Sequence, residues 1–243
     1  MNDLLKVCDM TKFYEKDDDT SCLQLHPDLP EHRRHAIICG STGSGKTNLI
    51  CSMITKQLVF DRIYVLSRHI HQQAYNYIKK NIELTEKDLK RRYNVATEII
   101  QLWTDVIDEL PDIDTFDKNY RNLVIIDDFA VLSKKLERKV VDFYTRARHA
   151  NCSVFFLGQM YFSVPRSVRL NCGYVILFNN HNAREIRLLD TELSTFDKGV
   201  FKKMYTDTLS EKYSFMFIDN VSKDVSRRYR KGFSEVIDVD KYK

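Results

Sequence analysis

A glycine-rich segment early in the chain has the residue types and spacing of a phosphate-binding loop. Gly40–Thr47 reads Gly-Ser-Thr-Gly-Ser-Gly-Lys-Thr, after the apolar run His35–Cys39 and before an apolar segment with helical character. Its glycines let successive backbone N–H groups face one phosphate chain. Lys46 supplies a cation for the β- and γ-phosphates, and Thr47 a hydroxyl ligand for Mg²⁺. The residues predicted to bind ATP are Gly40, Ser41, Thr42, Gly43, Ser44, Gly45, Lys46, Thr47 and Asn48.

A second motif is an apolar strand that ends in two carboxylates. Leu123–Asp128 reads Leu-Val-Ile-Ile-Asp-Asp. Asp127 is predicted to hold hydrated Mg²⁺, and Asp128 to orient and polarise the attacking water. A strand that ends in two acids also describes a surface turn, but the P-loop in the same chain favours a nucleotide site. The pair predicts hydrolysis rather than binding alone.

A third motif joins a glutamine to an arginine. Gln159 ends the apolar run Ser153–Leu157 plus Gly158, where it could contact the γ-phosphate if this strand lies between the other two. Arg148 precedes it by eleven residues (159 − 148) at a predicted helix end. A guanidinium keeps its charge and can bridge phosphate oxygens, and this position suggests a neighbour's nucleotide. The alternative interpretations are a polar strand end and a helix-end arginine.

Five short apolar segments predict the strands that position these residues. They are His35–Cys39, Arg62–Leu66, Leu123–Asp127, Ser153–Leu157 and Tyr174–Phe178, with helical segments between them. Near-continuous apolar content indicates strands covered on both faces. We therefore expect an α/β fold with a mostly parallel central sheet and helices on both faces. The predicted organisation is an N-terminal arm, 1–32, and one domain, 33–243, whose C-terminal extension starts near 180.

Three further elements are predicted from periodicity and composition. A helix ending at His149 has Leu136, Val140, Phe143, Tyr144 and Ala147 on one stripe. Apolar residues from Ile99 to Leu110 recur at helical spacing and predict an amphipathic helix, preceded by a basic cluster, Lys87–Arg92, after a cap-like Thr85. Tyr213–Ile218 is predicted to add an edge strand.

Composition limits the class of protein. The chain has 243 residues, a net charge of +4 and six cysteines without a Cys-x-x-Cys pair. This mild charge permits a polyanionic partner without requiring one. The cysteine pattern predicts a reducing compartment, and the lack of a signal pattern or a long apolar run predicts an intracellular protein without a membrane partner.

The linked motifs resemble the FtsK–HerA superfamily of DNA-pumping ATPases, and within it the genome-packaging ATPases of large DNA viruses and virophages. The similar region spans roughly residues 33–180 and carries Gly40–Thr47, Leu123–Asp128, the Arg148-to-Gln159 spacing, and Pro165 with Arg169 and Asn171. The resemblance implies a RecA-like (ASCE) P-loop NTPase that uses ATP and Mg²⁺. It assigns Arg148 as an arginine finger acting in trans, with Arg146 as the reserve.

The resemblance also implies partners and a location. These are double-stranded DNA, a homo-oligomeric ring of six subunits, and capsid proteins as a further candidate. The implied location is the virus assembly site in the cytoplasm of an infected cell, with the virion as a second option. Two departures from cellular pumps are Asp128 in place of Glu and Gln159-Met160-Tyr161 in place of Gln-Arg-Pro.

Basic residues could contact DNA phosphates without reading sequence. The candidates are Lys134, Lys135, Arg166, Arg169 and the tail Arg227–Lys231. Each alone also fits a solvated surface. His69 and His71 have strand-like metal spacing, but no Cys or acid lies nearby in the sequence, so zinc is not expected.

The predicted function is an ATP-hydrolysing motor that packages double-stranded viral DNA, with Lys46, Asp128, Gln159 and Arg148 as its catalytic residues. One alternative is a nucleotide-dependent binding switch that gates assembly with capsid or DNA-processing partners. Another is a P-loop kinase, which is disfavoured because Asp128 and Gln159 suit water as the nucleophile.

Overall fold

The computed structural model describes residue 26 and residues 28–128, 134–180 and 182–243. In this part of the chain, nine strands form one sheet in the order β3-β2-β4-β5-β1-β6-β7-β8-β9. The strands are β1 Ala36–Cys39, β2 Arg62–Ser67, β3 Ile100–Thr104, β4 Asn122–Asp127, β5 Cys152–Gly158, β6 Tyr174–Phe178, β7 Phe215–Asp219, β8 Tyr229–Lys231 and β9 Glu235–Val236. Strands β1–β6 are parallel, and β7–β9 continue the sheet in antiparallel order.

Helices cover both faces of the sheet. They are α1 Lys46–Ser52, α2 Gln73–Tyr93, α3 Lys134–Arg146, α4 Arg166–Leu170, α5 Ala183–Leu193 and α6 Val200–Thr208. A π-helical turn, Met53–Gln57, follows α1, and a 3-10 turn, Ala147–Ala150, follows α3. The predicted acidic segment Asp17–Asp19 lies outside the described residues.

Alternating residues of each central strand enter two separate apolar cores. In β4, Val124 and Ile126 pack on the side of α3, α5 and α6, whereas Leu123 and Ile125 pack on the side of α1 and α2. Burial of both faces explains why these strands lack an apolar–polar alternation. The predicted mostly parallel α/β sheet with helices on both faces is confirmed.

The five strands predicted around the motifs are present, with bounds shifted by one residue at most. Strand β5 lies between β1 and β4. Since parallel strands end at the same edge of a sheet, the P-loop after β1, the carboxylates after β4 and Gln159 after β5 converge there.

The predicted helix between Ile99 and Leu110 is wrong. Ile100–Thr104 is β3, which pairs in parallel with β2 at the sheet edge. Glu86 in α2 accepts hydrogen bonds at Oε1 from the backbone N–H groups of Ile99, at 2.6 Å, and Ile100, at 3.4 Å. The Glu86 carboxylate thus fixes the start of β3 on α2, and the spacing of apolar residues cannot reveal such a contact.

Two further predictions are corrected. Thr85 does not begin a helix: it lies inside α2, and its hydroxyl donates to the Asn81 carbonyl oxygen at 2.9 Å. The strand predicted at Tyr213–Ile218 is β7, Phe215–Asp219, and it is not an edge because β6 and β8 flank it. The short strand β8 adds the further pairing that the sequence did not indicate.

Candidate functional site

The P-loop has the backbone geometry that its glycines predict. Gly43 and Gly45 have φ angles of 77° and 109°, values that side chains with a Cβ rarely adopt. A Cβ on Gly40 would lie 2.5 Å from Cβ of Phe178, so this position requires close approach rather than an unusual φ. The loop therefore brings the β1 strand end directly onto the start of α1, with its backbone curved around Lys46.

The Lys46 ammonium lies inside this loop. Nζ donates to the carbonyl oxygens of Gly40, at 2.7 Å, and Ser41, at 3.0 Å. Burial lowers the pKa of Lys46, while the negative charges of Asp127 and Asp128 raise it in part. The partly desolvated ammonium supplies positive charge inside the loop for an anionic ligand, and the two carboxylates supply negative charge for a cation.

Asp127 is buried at the end of β4. Its Oδ2 accepts hydrogen bonds from the Tyr75 hydroxyl at 2.7 Å and the Ser67 hydroxyl at 3.3 Å. Burial raises the pKa of Asp127, and the hydrogen bond from Tyr75 opposes that rise. These contacts fix the carboxylate in one orientation and involve a single oxygen, so Oδ1 is available to a cation or its bound water.

Asp128 leaves the strand in a left-handed backbone conformation, with φ of 59°. Its two carboxylate oxygens have different partners: Nε2 of Gln159 lies 3.1 Å from Oδ1, and Nε2 of His69 lies 2.9 Å from Oδ2. Each oxygen retains a further lone pair for a water molecule. Asp128 is therefore positioned by two neighbours and remains partly accessible.

These groups line one cleft, termed the phosphate cleft, with a volume of about 120 Å³. The predicted site residues that it brings together are Thr42, Gly43, Lys46, Thr47, Asp127, Asp128 and Gln159. Ser41 and Ser44 line a neighbouring cavity that shares Gly43, and Asn48 is exposed on the first turn of α1. Gln159 lies where the strand order predicted it.

Three residues of the site were missed by sequence reasoning. Ser67 ends β2 beside β4, a place at the sheet edge that strand order alone could have indicated. Tyr75 lies in α2, and no sequence signal connects it to Asp127. His69 was considered only as a metal ligand with no acid nearby, but it lies in a turn after β2 and contacts Asp128, 59 positions away (128 − 69).

Arg148 lies just before β5, at the amino-terminal ends of the parallel strands, on the opposite side of the sheet from the phosphate cleft. It lines a cavity of about 420 Å³ together with Arg33, Arg34, His35 and Arg228. The seven residues of β5 separate this edge from Gln159, about 20 Å at 3.3 Å per residue. Arg148 therefore cannot reach the phosphate cleft of its own chain.

Arg146 and Arg148 differ in their contacts. Arg146 forms ion pairs with Asp114, at 2.5 Å, and Asp142, at 3.5 Å. Within the residues that the structure describes, Arg148 has neither a hydrogen bond nor an ion pair, and its side chain is exposed. Of the two candidates, Arg148 has the guanidinium available to another molecule.

Two of the basic residues predicted to face DNA are structural. Arg230 is 2% exposed, and its guanidinium bonds to Asp28 and Asp219. Arg169 forms a two-point ion pair with Glu192, with both N–O distances at 2.8 Å. Removing one partner of a buried pair such as that of Arg230 costs about 3–5 kcal/mol, whereas the partly exposed pair of Arg169 contributes less.

The other DNA candidates differ in accessibility. Lys134 and Arg166 are exposed, Arg227 is paired with Asp28, and Lys231 lies 3.1 Å from Glu211. The side chain of Lys135 lies outside the described part of the chain. The guanidinium of Arg228 donates to Oδ1 of Asn220 at 3.0 Å. Lys134 and Arg166 thus remain as the exposed candidate phosphate contacts without a described hydrogen bond or ion pair.

None of the helices in the described residues is long and apolar enough to span a membrane.

The strand order and the phosphate cleft define a P-loop NTPase of the α/β class. The family model described as "Poxvirus A32 protein" matches residues 26–227, most of the chain. The chain therefore belongs to the Poxvirus A32 protein family, which confirms the resemblance drawn from its motifs. No curated protein matches the sequence at a significant level.

Solved structures share this fold. The genome packaging NTPase B204 from Sulfolobus turreted icosahedral virus 2, in complex with ATP-γS, is 15% identical with a TM-score of 0.53, covering 84% of this chain and 98% of that one. B204, the DNA-packaging ATPase from Sulfolobus turreted icosahedral virus, is 14% identical with a TM-score of 0.51, covering 85% of this chain and 99% of that one. At these identities the similarity concerns the fold.

Proposed function

We propose that this protein is an ATP-hydrolysing motor that moves double-stranded DNA into a viral capsid. The observation that carries the proposal is the convergence of Lys46, Asp127, Asp128 and Gln159 in one cleft, on β1, β4 and β5. Membership of the Poxvirus A32 protein family and the shared fold of B204, a genome packaging NTPase, support this use of the cleft.

The residues of the cleft divide the chemistry among them. Lys46 and the P-loop amides bind the phosphate chain. The Thr47 hydroxyl and the Asp127 carboxylate are oxygen donors of the kind that suits Mg²⁺, and the desolvated Asp127 with a free Oδ1 fits a cation. Mg²⁺ there would polarise the phosphate oxygens. In this scheme Asp128 orients water against the γ-phosphate.

Gln159 and His69 are placed to control Asp128. Each donates to one oxygen of that carboxylate, so each fixes its orientation. The Gln159 amide can exchange its hydrogen bond to Asp128 for one to the γ-phosphate. This exchange would make the orientation of the Asp128 carboxylate depend on the presence of that phosphate. Hydrolysis would restore the first bond, and Gln159 thereby acts as a sensor.

Arg148 is assigned as an arginine finger that acts on a neighbouring subunit. Its distance from its own cleft, its exposure and its lack of a described partner support this role. A finger in trans requires a ring or another repeating assembly, and we propose a ring of six subunits around DNA. The protein would act at the virus assembly site in the cytoplasm of an infected cell, with capsid proteins as partners.

The test is the ATPase rate of the purified chain with and without long duplex DNA. We expect DNA to stimulate hydrolysis, and the stimulation to decrease as salt rises because phosphate contacts release counterions. Lys46→Ala should abolish turnover with and without DNA. A Lys46-dependent rate that DNA does not change would support the binding switch instead, and phosphate transfer to a small-molecule acceptor would support the kinase.

A further inference from the structure

A second cavity, here called the side cavity, adjoins the P-loop. It has a volume of about 300 Å³ and shares Gly43 with the phosphate cleft. Its other walls come from Phe178, at the end of β6, and from the loop 209–214 between α6 and β7. Because β6 and β5 flank β1 on opposite sides, the side cavity lies on the flank of the P-loop away from the carboxylates. Its size is within the range of small-molecule sites.

The aromatic ring of Tyr213 lines the side cavity. This residue is 57% exposed and has a φ of 67°, a strained conformation for an aromatic residue. The turn that holds it is closed by Ser214, whose N–H and hydroxyl both donate to the Glu211 carbonyl oxygen, at 3.2 and 2.7 Å. A Cβ on Gly45 would lie 3.3 Å from Cδ1 of Tyr213, so the ring lies directly against the P-loop.

The position of the phosphate cleft sets the direction of a bound nucleotide. Asp128 and Gln159 mark the γ-phosphate end, on the side of β4 and β5. A phosphate chain with its γ-phosphate at that end and crossing the P-loop past Gly43 would have its α-phosphate end towards β6. A ribose and base attached at that end would enter the side cavity.

We propose that the loop 209–214 is the nucleobase subsite and that the Tyr213 ring stacks on a purine base. This inference rests on the proposed nucleotide function and identifies the part of the chain that binds the base. The Lys212 ammonium lies 4.8 Å from the ring centroid. Such an exposed cation–π contact is worth about 0.5–1 kcal/mol, whereas stacking of a base on an aromatic ring is worth about 1–3 kcal/mol, so a base displaces the lysine.

The experiment compares binding of two ligands to three forms of the protein by calorimetry. The ligands, each with Mg²⁺, are ATP and inorganic tripolyphosphate, which has the phosphates but no base. The forms are the wild type, Tyr213→Gly, which removes the ring and relieves the strained φ, and Tyr213→Phe, which keeps the ring. Lys46→Ala identifies the fraction of tripolyphosphate binding that belongs to the P-loop.

Stacking predicts a selective loss. Tyr213→Gly should weaken ATP binding roughly 5- to 150-fold, the factor equivalent to about 1–3 kcal/mol, and leave tripolyphosphate binding unchanged. Tyr213→Phe should bind both ligands like the wild type. Unchanged ATP binding in Tyr213→Gly, or an equal loss of both ligands, overturns the subsite. Failure of the wild type to bind either ligand would instead reject the nucleotide function itself.

A second measurement uses the wild-type chain and so does not depend on the folding of a variant. ATP with an azide on the adenine ring is cross-linked by light, and the labelled peptide is identified by mass spectrometry. A label within residues 209–214 supports the subsite. A label confined to any other segment overturns it.

Discussion

At the residue scale, two adjacent aspartates have different surroundings. Asp127 is buried and bonded through Oδ2 to Tyr75 and Ser67, whereas Asp128 is partly accessible and bonded to Gln159 and His69. Their positions at the strand end could be predicted from the sequence. Among their partners, Gln159 could be predicted as well, but Tyr75 and His69 could not, because they reach the site through the packing of α2 and of the turn after β2 on β4.

This difference predicts opposite effects of two matched substitutions. Asp128→Asn should keep Mg²⁺-dependent ATP binding but lower turnover about 10²- to 10⁴-fold, the range of general acid–base contributions. Asp127→Asn should weaken the Mg²⁺ dependence of ATP binding itself, because it removes a charged metal ligand. Calorimetry for binding and steady-state kinetics for turnover separate the two effects. The reverse pattern would exchange the assigned roles.

At the element scale, the central strands were predictable and the edge was not. Strands buried on both faces are continuous apolar runs, which the sequence shows at β1, β4, β5 and β6. Strand β3 lies at the sheet edge, where its apolar residues pack against α2 and β2 at intervals that also fit a helix. Arg230 in the basic tail was predicted as a DNA contact because its partners could not be read from the sequence. The fold brings Asp28 and Asp219 to its guanidinium.

His35, the residue before β1, makes the stability of the fold depend on pH. His35 is buried, and its Nδ1 accepts from the Val154 N–H at 3.2 Å. Burial, with the charges of Arg148 and Arg34, lowers the pKa of His35 from 6.5 to about 4. The unfolded chain therefore takes up a proton below pH 6.5 that the folded chain takes up only below about pH 4. Stability falls as the pH falls between these values, by about 3 kcal/mol in total.

The substitution His35→Asn removes this titration and keeps an acceptor near the position of Nδ1. Between pH 7 and pH 4.5, the free energy of unfolding of the wild type should fall more steeply than that of the variant, as measured by urea denaturation. His71→Asn, at an exposed position, is the control and should follow the wild type. Parallel curves for wild type and His35→Asn would show that His35 does not titrate in this way.

At the scale of the whole molecule, the two edges of the sheet have different chemistry. The phosphate cleft lies at the carboxyl edge, and Arg148 lies about 20 Å away at the amino edge. In the proposed ring, the arginine of one subunit would meet the nucleotide of its neighbour. The sequence predicted the arginine, but only the fold shows that it cannot serve its own site.

A finger in trans predicts complementation between inactive subunits. Arg148→Ala should bind ATP normally and lose about 10³-fold or more in turnover, the scale of arginine fingers. Mixing it with Lys46→Ala should restore partial activity, because some interfaces then combine an intact P-loop with an intact finger. Arg146→Ala is the matched control and should retain turnover. A lack of rescue in rings shown to be mixed would remove the role from Arg148.

The central claim is that ATP hydrolysis moves the protein along duplex DNA. The most direct measurement is displacement of a fluorescent third strand bound to a long duplex, followed in real time. We predict displacement that requires ATP and Mg²⁺, stops with a non-hydrolysable analogue and is absent in Lys46→Ala. A wild-type protein that hydrolyses ATP and binds the duplex, yet never displaces the third strand, would contradict the account.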